Sequence, residues 1–360
     1  MTTVSRELPP LAAAQHRAMP YTRLTDCGMD PANARQLLAD TAAGAPWPDA
    51  AAAIADGQLV RARRAAEAGH EVTARQAYRF ASAALMFAQM GYQTDTPHKR
   101  ELYARHTTAT AALTPGVERV EIPYRDGVLC GWLCLPAVPP RATVVVWGGL
   151  SGWGAGYLQV AEAYTARGLA CLLAEGPGQG ESRLRHGLYA DEQVTEGFAR
   201  FVDMAEADPR LRGPVGIQGV SFGGLFAAHL AATDPRVGAV VINGAPATPK
   251  VPEFRTAREQ MAALVGTEDL DRVAEVMDSL RFGLDTHRIP CPLLLLHGGQ
   301  DPLAHYRDQE PFLLAADPAT ATVKIWPDGE HTLYNHAAER DAYTGDWFTD
   351  HLVSRGPSKS

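Results

Sequence analysis

The pentapeptide Gly219-Val220-Ser221-Phe222-Gly223 decides how the sequence around it folds. It matches G-x-S-x-G, the pattern of a tight turn between a strand and a helix that presents a serine as a nucleophile. The apolar run at 215–218 predicts a short buried strand before the turn, and the run at 225–232 predicts the helix after it. The turn therefore predicts an exposed Ser221 hydroxyl near a helix N-terminus, where an oxyanion is stabilised.

Seven further apolar runs predict the other strands of a sheet. Two of them flank Asp126-Gly127, a pair that is typical of a hairpin turn. From the third strand onward, helical stretches separate the runs, and most runs are apolar throughout, as in parallel strands covered on both faces. The pattern predicts an α/β fold with an eight-stranded, mostly parallel sheet and helices on both sides. The seven runs cover residues 117–123, 128–135, 142–147, 169–174, 239–243, 293–297 and 322–326.

The first part of the chain is rich in Ala and Arg and lacks β-branched runs. Asp30-Pro31 predicts a helix start and Gly69 a helix stop. We expect an all-helical N-terminal domain over residues 1–115 and a catalytic domain over residues 116–355. A helical stretch at about 250–285 is too long for a simple crossover and predicts a cap insertion. Residues 356–360 are expected to form a loose tail.

Composition limits the partners and the location of the protein. Of 360 residues, 46% are hydrophobic and 21% charged, which is typical of a globular protein, and the net charge of -8 argues against nucleic acid or an anionic membrane as a partner. No apolar run approaches the roughly 20 residues of a membrane span, and the N-terminus lacks a signal-peptide pattern. Five cysteines, odd in number and mostly in apolar runs, indicate buried thiols in a reducing compartment. We expect a cytoplasmic protein that needs no cofactor or metal.

An acid and a histidine follow later strands in the order that such a serine requires: serine, acid, histidine. Asp301 comes after the strand at 293–297, and His331 comes after the strand at 322–326. Because the carboxyl ends of parallel strands meet at one edge of a sheet, we expect both side chains near Ser221. In this triad Ser221 attacks, His331 accepts and returns the proton, and Asp301 orients the imidazole.

Two backbone amides are expected to form the oxyanion hole. One is the N–H of Phe222, directly after the nucleophile. The other is the N–H of Leu150, in the loop Gly148-Gly149-Leu150-Ser151-Gly152 after the third strand. The glycines of this loop let the backbone approach an oxyanion closely.

Several positions leave alternatives open. His336 follows His331 closely and could be the base, and Glu175 is a second candidate acid. His229 and His297 are interpreted as structural. The loop at 175–181 superficially resembles a dinucleotide-binding fingerprint, but its spacing departs from G-x-G-x-x-G and it contains a proline where an amide donor is needed.

Four features together resemble one branch of the α/β-hydrolases. They are the helical N-terminal region with residues 68–81, the Gly148-Gly149-Leu150 loop, the loop at 175–181 and the Ser221 motif. Together they are similar to the dihydropseudooxynicotine hydrolase group, which includes fungal polyketide-shortening hydrolases of pigment pathways. The similarity covers nearly the whole chain. Members of the group usually carry Asp where this chain has Glu175.

The resemblance implies an α/β-hydrolase fold and a small-molecule substrate. It implies hydrolysis of a carbon–carbon bond next to a ketone, or of an ester, in a pocket between the helical domain and the sheet. It also implies a homodimer formed through the helical part. Some members have an additional acid after the sixth strand, and Glu253 is the nearest acid there. A solvated carboxylate at a helix start is the alternative interpretation of Glu253.

The motifs leave other functions open. An acyltransferase or cyclase would use the same three residues but pass the acyl group to an acceptor other than water. A ligand-binding protein on a retained hydrolase fold is a third hypothesis, and it predicts the loss of at least one triad position. All three positions are present, so hydrolysis of a largely apolar carbonyl compound, in secondary metabolism or in aromatic or heterocycle catabolism, is the leading prediction.

Overall fold

The computed structural model describes residues 8–251 and 255–353. They fall into two compact units, one ending at Leu113 and the other beginning at Thr114. Glu253, the predicted auxiliary acid, lies outside the described residues.

The first unit is helical throughout its described part. Asp30 begins α3, because its carboxylate accepts hydrogen bonds from the amides of Ala32 (2.9 Å) and Asn33 (3.1 Å). Gly69, just past the end of α4, adopts a left-handed φ of 74°, which glycine tolerates best. The helices are α1 (Pro10–Ala18), α2 (Tyr21–Asp26), α3 (Pro31–Ala42), α4 (Trp47–Glu67), α5 (Glu71–Met90) and α6 (Pro97–Ala111).

The second unit is built on one eight-stranded sheet in the order β1-β2-β4-β3-β5-β6-β7-β8. β2 pairs antiparallel with both β1 and β4, and all other neighbours are parallel. This arrangement confirms the predicted fold class. The strands are β1 (Val117–Tyr124), β2 (Gly127–Cys134), β3 (Ala142–Trp147), β4 (Leu169–Glu175), β5 (Val215–Val220), β6 (Val237–Asn243), β7 (Leu293–Gly298) and β8 (Ala321–Trp326).

Helices separate the strands from β3 onward. Two of them lie between β6 and β7, in the stretch for which the sequence predicts a cap insertion. The helices are α7 (Leu158–Thr165), α8 (Gly180–Leu184), α9 (Val194–Ala207), α10 (Gly223–Thr233), α11 (Arg255–Val265), α12 (Leu270–Ser279), α13 (Tyr306–Ala315) and α14 (Ala337–Phe348). A short 3₁₀ helix covers Gly154–Tyr157, and a π-helical turn covers Thr349–Val353. The segment His331–His336 has 3₁₀-type turns interrupted by the left-handed residues Thr332 and Leu333. Among the helices of the described residues, none combines the length and apolarity needed to cross a membrane.

Aromatic side chains fix α9 and α10 against the centre of the sheet. The ring of Phe198 on α9 lies 4.6 Å from Trp147 at the end of β3 and 5.3 Å from Phe226 on α10. Phe226 in turn packs edge-on against Phe222, with ring centroids 5.2 Å apart. Because Phe222 directly follows Ser221, this tightly packed cluster holds the backbone at the serine in place.

The turn between β1 and β2 differs in one detail from the prediction. The hairpin turns at Arg125 and Asp126, and Arg125 adopts the left-handed conformation with φ of 50°. Gly127, predicted to be part of the turn, is already the first residue of β2. β1 continues one residue further than its apolar pattern indicates, because Tyr124 pairs with Gly127.

Candidate active site

The turn between β5 and α10 presents Ser221 in a strained conformation. Its φ is 55°, in the left-handed region that costs a non-glycine residue about 1–3 kcal/mol. Its N–H donates to the carbonyl of Asn243 at 2.7 Å. A Cβ on Gly219 would lie 2.2 Å from the carbonyl oxygen of Gly223, so the turn can be this tight only with glycine there.

Ser221, His331 and Asp301 form a continuous hydrogen-bonded chain. His331 Nε2 lies 2.9 Å from Ser221 Oγ, and His331 Nδ1 lies 2.8 Å from Asp301 Oδ2 and 2.9 Å from Oδ1. These distances are within reach for proton transfer between the serine and the imidazole. The structure thus brings together the three residues that the sequence places after β5, β7 and β8.

The environment of Asp301 keeps its carboxylate ionised. Burial acts to raise the pKa of Asp301, but the hydrogen bond and charge of His331 and the amides of Leu303 (2.8 Å) and Ala304 (3.1 Å) outweigh it, so the pKa is lowered. An ionised Asp301 accepts a hydrogen bond from His331 Nδ1–H. Nε2 is then the unprotonated nitrogen that faces the serine hydroxyl.

The loop after β3 lies directly against the amide of Phe222, the residue that follows Ser221. A Cβ on Gly149 would lie 2.5 Å from the Phe222 amide nitrogen and 2.9 Å from that of Gly223. Phe222 is the N-cap residue of α10, so its N–H has no partner within the helix. The backbone of Gly149, directly before Leu150, and the amide of Phe222 are therefore close neighbours, as an oxyanion hole built from Leu150 and Phe222 requires.

Gly149→Ala should remove most of the activity because a methyl group at this position must displace the Phe222 amide. We expect kcat for p-nitrophenyl butyrate to fall by about 10²–10³-fold, the loss typical when one oxyanion donor is removed. Gly57→Ala is the control, since a Cβ there meets nothing within 4 Å in the interior of α4. It should leave kcat unchanged and raise stability by up to about 1 kcal/mol. Wild-type kcat in Gly149→Ala would contradict this account of the loop.

Asn243 links the serine turn to the histidine loop, and the sequence analysis missed it. Its backbone carbonyl accepts the Ser221 N–H, and its Nδ2 donates to the carbonyl of Thr332 at 3.0 Å. The buried Arg340 donates to the same carbonyl at 3.0 Å. Thr332 needs this support because its φ of 55° is left-handed directly after His331. The available signal was a polar residue that ends an apolar strand at the same sheet edge.

Three other histidines considered from the sequence, His336, His229 and His297, have partners other than Ser221. His336 Nε2 lies 3.0 Å from Asp328, an acid near the surface. His229 Nε2 donates to the carbonyl of Leu280 at 2.8 Å, and His297 Nδ1 pairs with the amide of Gln309 at 2.9 Å. His331 is the histidine that Ser221 contacts, so the geometry favours it over His336 as the base.

Glu175 is held by backbone amides rather than by a histidine. Its Oε1 accepts the Gly154 N–H at 2.9 Å, and its Oε2 accepts the Glu181 N–H at 2.6 Å. The carboxylate is buried, and a Cβ on Gly180 would lie 2.1 Å from it. Glu175 therefore organises its own loop, and Asp301 is the acid that contacts His331.

One group of side chains has metal-ligating chemistry, away from Ser221. Ligand atoms of Glu121, Cys130 and His186 lie within 4.8 Å of one another. Arg119 Nη2 already pairs with Glu121 at 2.6 Å. Burial, with the nearby carboxylates of Glu181 and Glu175, raises the pKa of the Cys130 thiol. A neutral thiol and a neutralised carboxylate make a poor cation site, so we assign no metal to this group.

Comparison with known proteins shows which hydrolases the chain is similar to. Residues 138–268 match the Hydrolase_4 model, described as serine aminopeptidase, S33. The 2,6-dihydropseudooxynicotine hydrolase of Paenarthrobacter nicotinovorans is 27% identical over 323 residues, which cover 86% of this chain and 85% of the relative. The chain has the α/β-hydrolase fold. This result confirms the family resemblance drawn from the sequence motifs.

Further proteins are similar to part of the chain or share its fold. The alpha/beta hydrolase xenA of Xenoacremonium sinensis is 34% identical over 198 residues, half of this chain and 46% of the relative. The crystal structure of the 2,6-dihydroxy-pseudo-oxynicotine hydrolase superposes with a TM-score of 0.82 at 22% identity, covering 93% of this chain and 96% of that one. AbyA5 superposes with a TM-score of 0.63 at 19% identity, covering 84% and 90%. At these identities the two superpositions show the shared fold.

Proposed function

We propose that this enzyme hydrolyses a small, largely apolar carbonyl compound through an acyl-enzyme on Ser221. The scissile bond is a carbon–carbon bond next to a ketone, or an ester. The hydrogen-bonded chain from Ser221 through His331 to Asp301 carries the proposal, because it contains a nucleophile, a base and an orienting acid in contact. The relative named 2,6-dihydropseudooxynicotine hydrolase supports the choice of hydrolysis.

The reaction follows from the roles of the three side chains. His331 Nε2 takes the hydroxyl proton as Ser221 Oγ attacks the carbonyl carbon, and the amides of Phe222 and Leu150 stabilise the oxyanion. As the oxyanion collapses, His331 gives that proton to the leaving group and an acyl-enzyme remains. Water then attacks the ester on Ser221, with His331 again acting as base.

Carbon–carbon cleavage makes a further demand on His331. The leaving group is a carbanion, so it must be protonated as it departs or delocalised as an enolate or into a ring. His331 holds the proton at Nε2, the atom that faces the reaction centre. The resemblance to the dihydropseudooxynicotine hydrolase group supports this option, and an ester would need the same residues with an easier leaving group.

The proposal includes three further expectations: an auxiliary acid, a homodimer and a cytoplasmic location. Glu253 is proposed as an auxiliary acid, since some members of the resembled group carry an acid after the sixth strand. A homodimer formed through the helical N-terminal part, and a cytoplasmic location, are proposed on the resemblance, the cysteine content and the charge. Sedimentation of the purified chain tests the dimer, and Glu253→Gln with kcat as the readout tests the acid.

Hydrolysis in heavy-oxygen water tests the proposed reaction. We would supply 1-phenyl-1,3-butanedione as the carbon–carbon probe and p-nitrophenyl butyrate as the ester probe. The expected result is turnover of at least one probe, with one solvent oxygen in the product acid. Transfer of the acyl group to an added alcohol or amine, without solvent oxygen in the product, would favour an acyltransferase or cyclase. The absence of turnover with both probes would contradict the proposal.

A further inference from the structure

We propose that Gln179 is a positioning residue that orients the oxyanion hole of Ser221. The inference rests on the proposed function, since it gives a role to a side chain that acts on the loop beside the nucleophile. It also gives a function to the loop at 175–181, which has no role in the proposed chemistry of Ser221, His331 and Asp301.

Both polar atoms of the Gln179 amide group form hydrogen bonds, and their partners are backbone groups. Its Nε2 donates to the carbonyl oxygens of Gly148 and Gly149, the latter at 3.0 Å. Its Oε1 accepts the Gly176 N–H at 3.2 Å. The side chain is 1% exposed, so the two carbonyls on which it acts are held without competition from solvent.

Because the peptide bond is planar, the hydrogen bond from Gln179 to the Gly149 carbonyl also orients the N–H of the next residue, Leu150. In a trans peptide the C=O and N–H point in opposite directions. With the Gly149 carbonyl directed at Gln179, the Leu150 N–H points to the other side of the loop. The Phe222 amide also lies against Gly149, 2.5 Å from where a Cβ would be. The Gly152 N–H also donates to the Gly149 carbonyl, at 3.1 Å, so Gln179 and this amide together hold the direction in which the proposed second oxyanion donor faces.

The loop that carries Gln179 makes further contacts with the loop after β3 and with the residues that follow it. Glu175 accepts hydrogen bonds from Gly154, just past the oxyanion loop, and from Glu181, two residues after Gln179. The Gln179 side chain also packs on Gly152, where a Cβ would lie 2.3 Å from its amide carbon. The β3 loop is thus held at two points by the β4–α8 loop, and Gln179 is the one that contacts its carbonyls.

Two variants of the 360-residue enzyme test this role. Gln179→Met keeps the volume but cannot donate. The Gly148 carbonyl then loses its Gln179 donor, and the Gly149 carbonyl keeps only the hydrogen bond from the Gly152 N–H (3.1 Å), so the Gly149–Leu150 peptide is held less firmly. With p-nitrophenyl butyrate we expect kcat to fall by about 10²-fold, the scale of one lost oxyanion donor, and KM to stay within threefold. The inhibition constant of an alkyl trifluoromethyl ketone, whose adduct with Ser221 is an oxyanion, should rise by a similar factor.

Gln179→Glu supplies a signature that a packing role would not give. Its carboxylate repels the two carbonyls, whereas its protonated form can donate one hydrogen bond. The ratio of its kcat to that of wild type should therefore rise as the pH falls. This variant also keeps the inference testable if Gln179→Met does not fold.

Ser182→Ala is the matched control, because Ser182 lies on α8 directly after the same loop. The buried Ser182 hydroxyl accepts the Cys130 N–H at 2.8 Å and donates to the Glu175 carbonyl, so its loss disturbs the loop without touching the β3 loop. Its kcat and ketone affinity should equal those of wild type. Folded Gln179→Met with wild-type kcat, or with low kcat but unchanged ketone affinity, would overturn the inference. So would a pH-independent rate ratio in Gln179→Glu. Full activity of Ser221→Ala would instead overturn the proposed function itself.

Discussion

Ser221→Ala is expected to lower kcat for p-nitrophenyl butyrate by about 10⁶-fold, the loss measured when the serine of such a triad is removed. The physical reason is that His331 Nε2, 2.9 Å from Ser221 Oγ, would have no hydroxyl to activate. The fold should persist, because alanine keeps the same backbone and the Ser221 N–H still reaches the Asn243 carbonyl. The measurements are kcat and the midpoint of thermal unfolding.

Thr233→Ala is the control for this experiment. Thr233 ends α10, the helix that Ser221 precedes, and its hydroxyl donates only to helix carbonyls, those of His229 (2.8 Å) and Leu230 (3.5 Å). Loss of that hydroxyl should leave kcat unchanged. A Ser221→Ala protein that is folded and retains more than a few per cent of wild-type kcat would assign the chemistry to another residue.

Asp301→Asn should lower kcat by about 10⁴-fold while leaving the geometry of the site nearly intact. Asp301 Oδ1 is held by the amides of Leu303 and Ala304, so an asparagine oxygen is expected to take that position. The side-chain NH₂ would then face His331 Nδ1 and favour the tautomer with the proton on Nε2. That nitrogen could no longer accept the proton of Ser221.

Asp328→Asn is a matched control because Asp328 also pairs with a histidine. Its Oδ1 lies 3.0 Å from His336 Nε2, but the Asp328 side chain is 78% exposed. We expect kcat within twofold of wild type, since an exposed pair of this kind contributes little. Equal losses in Asp301→Asn and Asp328→Asn would leave the choice between His331 and His336 without support.

The fold could be predicted from the sequence because each strand, turn and helix has its own local sequence pattern. The turn around Ser221 needs glycine at 219, and the strand before it and the helix after it show their own apolar patterns. The parallel order of the strands follows from the helices between them. The hairpin turn at Arg125 was displaced from the predicted Asp126-Gly127 because pairing with β2 extends β1 beyond its apolar pattern.

Only part of the candidate site could be predicted from the sequence, and there is a physical reason why some residues could be predicted and others could not. Ser221, Asp301 and His331 could be placed because each follows a strand that ends at the same sheet edge. Asn243 and Gln179 could not, because both act on backbone carbonyls that are distant in sequence, and any polar side chain can make such a bond. Their partners become visible only when the loops are folded together.

Labelling with a fluorophosphonate probe tests the central claim most directly. The probe reacts with a serine hydroxyl only when a neighbouring base activates it, so it reports the Ser221–His331 pair without knowledge of the substrate. We predict that the wild-type enzyme takes up one equivalent, that peptide mass mapping places it on Ser221, and that Ser221→Ala takes up none. Labelling that survives in Ser221→Ala, or that maps to another residue of the wild-type enzyme, would contradict the account.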